Sequence, residues 1–211
     1  MSFLNRFERG ELKLTRVEAF SDGVFAIVVT LLVLELKVPP IHFPDSAWNL
    51  AHELRALLPK FVSWLISFII VCKFWLNHHH LLNFARHANY AMVWLNSLFL
   101  MCQAFIPFPT ALMGDYPGNP LAVSLFGIVM AGNTVMFMAL QSYIMNKLIK
   151  PELASQRDPN LTKKSWVGPL SYLVGAGIGW FSGFGAFVVY LITPLFFIVP
   201  AGEQANMAKT D

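Results

Sequence analysis

The sequence predicts an all-α integral membrane protein with six transmembrane helices. Of the 211 residues, 56% are apolar and only 13% are charged, and the mean hydropathy is +0.55. Soluble domains are far more polar. Six apolar segments approach the roughly 20 residues that a helix needs to cross a hydrocarbon layer about 30 Å thick. We place the spans at 16–37, 57–77, 90–113, 120–147, 166–182 and 184–200, between a cytoplasmic N-terminal segment (1–15) and a disordered cytoplasmic tail (201–211).

The first span is unusually polar, because it contains Arg16, Glu18, Ser21 and Asp22. An aspartate at the centre of a spanning helix costs roughly 2.5 to 3.5 kcal/mol on insertion scales. Asp22 is therefore expected to face protein, water or a partner rather than lipid.

The same helix carries an apolar stripe, since Ile27, Leu31 and Leu34 recur at i, i+4 and i+7. Asp22 lies on a different stripe. The helix thus has one face suited to a polar network and another that either packs against protein or lines a path.

The first connection should contain a short amphipathic helix. Pro39 and Pro40 are expected to stop the first span, and Ser46 can cap the helix that follows. Trp48 suits a membrane interface, and the helix should join the second span near Pro59. Its apolar side is formed by Leu50, Leu54, Leu57 and Leu58.

Prolines and glycines mark the later spans. Pro107 and Pro109 should break the third span near its outer end. The last two spans are short and separated only by Ser182 and Gly183, so a re-entrant pair is an alternative. We expect two spans, because glycine-rich segments suit closely packed membrane helices.

Basic residues predict the orientation. The N-terminal segment and the fourth connection are rich in lysine and arginine, whereas the third connection, MGDYPGNP, has none. Basic residues near spans stay on the cytoplasmic side. We therefore expect a multi-pass plasma membrane protein with cytoplasmic N- and C-termini.

Histidines cluster at the inner end of the second span, in CKFWLNHHHLLNFARH. A buried Asp22 and a histidine or asparagine on the next helix would satisfy each other. A metal site is the alternative, since imidazole binds several transition metals. Consecutive helical residues point about 100° apart, so His78, His79 and His80 cannot all converge on one ion. We expect no metal.

Several motifs together resemble the transmembrane protein 175 family of potassium channels. Arg16 followed by Phe20, Ser21 and Asp22 is similar to the RxxxFSD signature of that family. Further along, the chain resembles the family's W-x-x-H, LN and FLPF-type elements. These matches lie at Trp75 and His78, at Leu95 and Asn96, and at Phe105, Ile106, Pro107 and Phe108.

The resemblance implies a six-span subunit, four copies around an axis, and a pore lined by the first helix. Ile27 corresponds to the family's narrowest constriction, followed by Leu31 and Leu34, and Thr30 matches a threonine linked to cation preference. The resemblance also implies a polar clasp that holds the first helix against the second and third. The clasp comprises Arg16, Phe20, Ser21, Asp22, Trp75, His78 and Asn96.

The expected function is passive, potassium-preferring cation conduction by a homotetramer in a lipid bilayer, without catalysis, nucleic acid or any cofactor beyond permeating potassium. No TVGYG-like loop is present, so side chains and pore width would set ion choice. Glu35 is either an outer-mouth charge that attracts cations or a surface charge screened by Lys37. Two other functions remain open: a secondary transporter, although no inverted repeat is visible, and a membrane metalloenzyme using His78–His80.

Overall fold

The computed structural model describes residues 13–40, 46–156 and 165–196, except for the side chain of Phe196. The predicted segment 1–15 is described only from Lys13, and the predicted tail 201–211 lies outside these ranges. Apart from isolated β-bridge positions at Ala85, Ala88 and Ile149, the regular structure described is helical. The α-helices are α1 (Leu14–Val33), α2 (Ala47–Ala56), α3 (Leu58–Phe84), α4 (Tyr90–Ala104), α5 (Pro107–Asp115), α6 (Pro120–Tyr143), α7 (Val167–Ile178) and α8 (Gly183–Phe196).

Three stretches are long and apolar enough to cross a membrane: α3, the α4–α5 pair, and α6 extended by the π-helix Ile144–Leu148. The first helix has 20 residues, about 30 Å at 1.5 Å per residue, but it carries Arg16, Glu18 and Asp22. With 12 and 14 residues, α7 and α8 are only about 18 and 21 Å long. The helix α7 is shorter than the predicted span 166–182, because the chain turns between Ile178 and Gly183, and residues 197–200 of the predicted span 184–200 lie outside the described ranges.

The first helix ends earlier than its prolines suggest. We expected it to run to residue 37 and stop at Pro39 and Pro40, but it ends at Val33. The next three amides bond three residues back, from Leu34 to Leu31, Glu35 to Leu32, and Leu36 to Val33. Such bonds tighten the last turn, so the helix closes before the prolines.

Two local predictions are confirmed. Ser46 caps α2, since its hydroxyl accepts a hydrogen bond from the Asn49 amide at 3.3 Å. The third span is broken at Phe105 and Ile106, directly before Pro107 opens α5. Backbone N–H groups in the first turn of a helix have no partner within the helix. Proline has no N–H, so it loses no hydrogen bond at this position and suits the start of a new helix.

The helices pack in two groups that meet at α6 and at a contact between α8 and α3. On one side, α1 lies against α3 and α4, and α4 contacts α6. On the other side, α7 and α8 pack on α6, and Tyr190 of α8 donates a hydrogen bond to the Val123 carbonyl at 2.9 Å. A Cβ on Gly127 or Gly175 would overlap the Tyr190 side chain. In the first group, the N-terminal halves of α1 and α4 meet the C-terminal part of α3.

Candidate functional site

One face of α1 is buried in the subunit and the opposite face is open. The buried positions are Val17, Ser21, Phe25, Val28 and Leu32, which follow the helical repeat. The three residues of the predicted apolar stripe lie on the open face. Their exposed fractions are 59% for Ile27, 42% for Leu31 and 66% for Leu34.

Thr30 also lies on the open face. Its hydroxyl donates back to the helix, with the Ile27 carbonyl at 2.9 Å and the Ala26 carbonyl at 3.1 Å. The hydroxyl proton is therefore directed toward the backbone, and the lone pairs of the oxygen remain available. An exposed oxygen with free lone pairs can contact a cation.

Glu35 lies in the turn after α1 and is half-buried. Within the described ranges no ion pair joins it to Lys37, which is exposed. The charge of Glu35 is thus placed at the end of the helix beyond the apolar stripe.

A chain of hydrogen bonds fastens the buried face of α1. His78 of α3 lies 2.7 Å from Asn96 Oδ1 of α4, and the Asn96 amide donates to Ser21 Oγ at 2.9 Å. Ser21 in turn donates to the Val17 carbonyl at 2.8 Å. Because a carbonyl oxygen only accepts, His78 Nε2 is the donor and carries the proton. The three side chains are 0% to 2% exposed, so the chain of bonds lies in the core.

Aromatic rings surround this polar chain. Phe25 of α1 lies 5.6 Å from the His78 ring, and Phe99 stacks on it at 5.8 Å. Phe74 and Phe137 continue the cluster, at 5.8 and 5.5 Å from Phe99. These packed rings exclude water from His78 and fix its orientation.

Two acidic residues of α1 contact α3 through a second row of contacts. Trp75 Nε1 donates to Asp22 Oδ1 at 2.9 Å, and His79 Nδ1 lies 3.2 Å from Glu18 Oε1. The Trp75 and His79 rings stack at 6.1 Å. Asp22 therefore pairs with Trp75 rather than with a histidine or asparagine as we expected. The physical reason is that Ser21 and Asp22 point about 100° apart, so only Ser21 reaches the buried chain.

The structure joins five of the seven predicted clasp residues and leaves two outside. Arg16 is exposed, and Phe20 is 62% exposed. No hydrogen bond or ion pair connects Arg16 to another side chain in the part of the chain described. Both residues point away from the bonds that join α1 to α3 and α4.

The three consecutive histidines have different surroundings. His78 is buried against Asn96, His79 pairs with Glu18, and His80 is exposed. Over the described ranges, no three histidine, cysteine, aspartate or glutamate side chains are placed to hold one metal ion.

Sequence reasoning missed the contact between Glu18 and His79. A signal was present, because Glu18 and Asp22 are four residues apart, as are Trp75 and His79. Side chains at i and i+4 share a helix face, so one such pair on each of two neighbouring helices can form two contacts between the helices.

Known proteins are similar to this chain in sequence and in fold. Residues 16–107 match a family model described as endosomal/lysosomal potassium channel TMEM175. A potassium channel of Streptomyces collinus is 32% identical over 79% of this chain and 82% of its own. The human endosomal/lysosomal proton channel TMEM175 is 39% identical over 97 residues, which cover 44% of this chain and 19% of the human one.

A solved structure has the same fold over nearly its whole length. The crystal structure of a lysosomal potassium-selective channel TMEM175 homolog from Chamaesiphon minutus matches with a TM-score of 0.76 at 32% identity, covering 87% of this chain and 95% of that one. A potassium channel sequence from the same organism is 32% identical over 86% of this chain and 92% of its own. The open apolar stripe of α1 and its anchors therefore occur in a chain that belongs to the TMEM175 family.

Proposed function

We propose that four copies of this chain form a passive cation channel that prefers potassium, with α1 of each copy lining a central pore. The observation that carries this proposal is the open face of α1. Ile27, Thr30, Leu31 and Leu34 share that face, while the opposite face is fastened to α3 and α4. A helix held on one side only is suited to line an axis between copies.

Family membership supports conduction rather than catalysis. TMEM175 is an ion-channel family, so the metalloenzyme hypothesis is wrong and the histidines have another role. The relatives named potassium channels match over most of their length, at 82% and 92%. The human relative named a proton channel matches over 19% of its length. Potassium is therefore the favoured ion, and it passes as the permeating species without any resident cofactor.

The pore chemistry follows from the residues of the open face. A ring of four Ile27 side chains would close the path by contact and by loss of water, since narrow apolar constrictions dewet. Thr30 offers its oxygen one turn beyond, and four Glu35 carboxylates would raise the cation concentration at the outer mouth. The clasp keeps α1 in register while the ring of Ile27 widens or closes.

The proposed topology has six spans, with α1, α3, α4–α5, α6, α7 and α8 crossing a plasma membrane and both termini in the cytoplasm. The 12 residues of α7 are fewer than a full span needs, which a re-entrant pair would explain. Two spans are favoured because α7 and α8 pack on α6 through Gly127, Gly175 and Gly179, whose added Cβ atoms would meet neighbouring side chains.

Flux into liposomes tests the channel and its constriction together. Purified protein is reconstituted, and potassium, sodium and caesium fluxes are measured for the wild type and for Ile27→Asn. We expect wild-type flux to favour potassium and to run down its gradient without a coupled ion. Ile27→Asn should raise the flux or reduce the preference, because an amide hydrates the ring.

Ile128→Asn is the matched control, since Ile128 is 54% exposed on α6, away from α1. It should leave the potassium preference unchanged. A flux that stops without a coupled ion would indicate a transporter. Equal effects of Ile27→Asn and Ile128→Asn would remove Ile27 from the constriction.

A further inference from the structure

Beyond the inner end of α3, the chain makes a backbone connection that the proposed conduction does not use. Ala85 pairs with Ile149 in an antiparallel bridge. The Arg86 amide donates to the Leu148 carbonyl and the Lys150 amide donates to the Phe84 carbonyl, both at 2.9 Å. The segment after α3 and the segment after α6 are thereby fixed to each other.

The bridge gathers basic side chains. Arg86 and His87 follow Ala85, and Lys147 and Lys150 lie on either side of Ile149. Lys150 is half-buried and the other three are exposed. Diagonal positions across an antiparallel pair, such as Arg86 and Lys150, lie about 7 to 8 Å apart, so two long side chains can reach one anion between them.

Little negative charge opposes this group. In the ranges 84–90 and 144–156 there are three lysine and arginine residues, and Glu152 is the single acidic one, which leaves a net charge of +2 with His87 neutral. Opposite charge is therefore what this surface attracts.

Aromatic residues place the cluster at the surface of the membrane. Tyr90 and Trp94, one turn apart at the start of α4, are 56% and 54% exposed, and their rings contact each other at 6.0 Å. Tyrosine and tryptophan concentrate at the level of the lipid headgroups. Arg86 precedes Tyr90 by four residues, and the bridge brings Lys150 beside it, so the basic cluster lies at the depth where phosphates are most abundant.

We propose that Arg86, Lys147 and Lys150 bind the phosphate of an anionic phospholipid, whose acyl chains lie beside Tyr90 and Trp94. The inference rests on the proposed membrane placement but not on conduction. The backbone bridge holds two of the three basic residues in place, so binding orders less of the protein than it would in a flexible loop. A basic residue at an anionic membrane surface strengthens binding roughly fivefold.

Binding of short-chain lipids to the purified full-length protein in neutral detergent tests the site. Short-chain phosphatidylglycerol is titrated against the thermal unfolding midpoint, with phosphatidylcholine and inorganic phosphate as the other probes. The variant Arg86→Gln/Lys150→Gln removes two charges at the bridge. Lys37→Gln/Arg55→Gln removes two charges from exposed residues that precede α3, far from the bridge.

Phosphatidylglycerol should bind the wild type and the Lys37→Gln/Arg55→Gln control with equal affinity. It should bind the bridge variant roughly 25-fold more weakly. Phosphatidylcholine should not change the unfolding midpoint. If Arg86→Gln/Lys150→Gln does not fold, Lys147→Gln/Lys150→Gln takes its place and is expected to show the same loss of affinity. Equal affinity of the bridge variants and the wild type overturns the proposal, and so does an equal loss in the control. Full stabilisation by inorganic phosphate shows a free-anion site instead.

Potassium flux of the wild type is measured on the same preparation in liposomes that contain both phosphatidylcholine and phosphatidylglycerol. Absent flux with intact phosphatidylglycerol binding rejects the proposed channel and leaves the lipid site standing. Intact flux with no binding rejects the lipid site alone.

Discussion

At the scale of single residues, the polarity of α1 is tolerated because Glu18, Ser21 and Asp22 each have a partner on a neighbouring helix. Ser21 joins the buried chain through Asn96, Asp22 accepts from Trp75, and Glu18 pairs with His79. An unpaired polar group in hydrocarbon costs several kcal/mol, so these contacts decide which face of α1 turns inward. The helix α1 carries these polar residues because its neighbours satisfy them.

Asn96 is the central member of the buried chain, since it bonds to both Ser21 and His78. Asn96→Leu should lower the stability by about 1 to 3 kcal/mol, because His78 Nε2 loses its acceptor while it stays buried. Thermal unfolding in detergent measures the change. Asn83→Leu, at an exposed position of α3, is the control and should unfold close to the wild type. Equal unfolding midpoints for the two variants would show that Asn96 contributes no net stability.

Asp22 is a supporting residue in this account and not an ion site. Asp22→Ala should reduce the yield of folded protein more than it alters the selectivity of the channels that assemble. Asp22→Asn should restore the yield, because the amide oxygen still accepts from Trp75. Gel filtration and flux measured on the same samples separate the two effects. Normal assembly of Asp22→Ala without current would place Asp22 in the conduction path.

At the scale of elements, close approach sets the packing of the second half of the chain. Tyr190 of α8 reaches the Val123 carbonyl of α6 between two glycines. A hydrogen bond of this kind holds the short helix α8 against α6, and Ser124 holds α7 by donating to the Ala176 carbonyl at 2.7 Å. Small residues allow membrane helices to approach closely enough for such bonds.

Gly127→Ala should destabilise the protein by about 1 to 3 kcal/mol. The added Cβ would overlap the Tyr190 hydroxyl and lie 2.7 Å from the Tyr172 carbonyl oxygen. Gly132→Ala on the same helix is the control, because nothing lies within 4 Å of its added Cβ. It should be neutral or stabilising by up to about 1 kcal/mol, as alanine favours helix. Thermal unfolding compares them, and a loss in Gly132→Ala as large as in Gly127→Ala would refute the packing argument.

At the scale of the whole molecule, none of the helices described covers the open face of α1. Phe20, Ile27, Leu31 and Leu34 are all at least 42% exposed. Association of four copies around α1 would bring these faces together at one axis. The proposal thus makes the assembly, and not the subunit, the unit that conducts.

The mass of the purified complex should equal four copies of the 23.7 kDa chain. In a background with Cys72 and Cys102 replaced by alanine, Leu34→Cys should be joined between copies by a short bifunctional thiol reagent. Leu121→Cys, on α6 and 67% exposed, should not. Light scattering and denaturing gels give the two readouts. A monomeric mass, or equal linking of both variants, would contradict an axis at α1.

Much of the fold follows from composition and local pattern. Apolar length placed α3, α4–α5 and α6, proline placed the break before Pro107, and Ser46 marked the start of α2. The periodicity of Ile27, Leu31 and Leu34 put them on one face of α1. These features depend on residues within a turn or a span of each other, so sequence patterns are enough to predict them.

Other features needed the tertiary structure. The partner of Asp22 was predicted incorrectly, and the Glu18–His79 contact was missed, because both depend on how α1 is rotated against α3. Likewise, the hydrogen bonds that join Ser21, Asn96 and His78 decide which face of α1 is buried, and so they leave the Ile27 stripe exposed. Residues 18 and 79, or 21 and 96, are distant along the chain, and only packing determines which of several possible polar pairs forms.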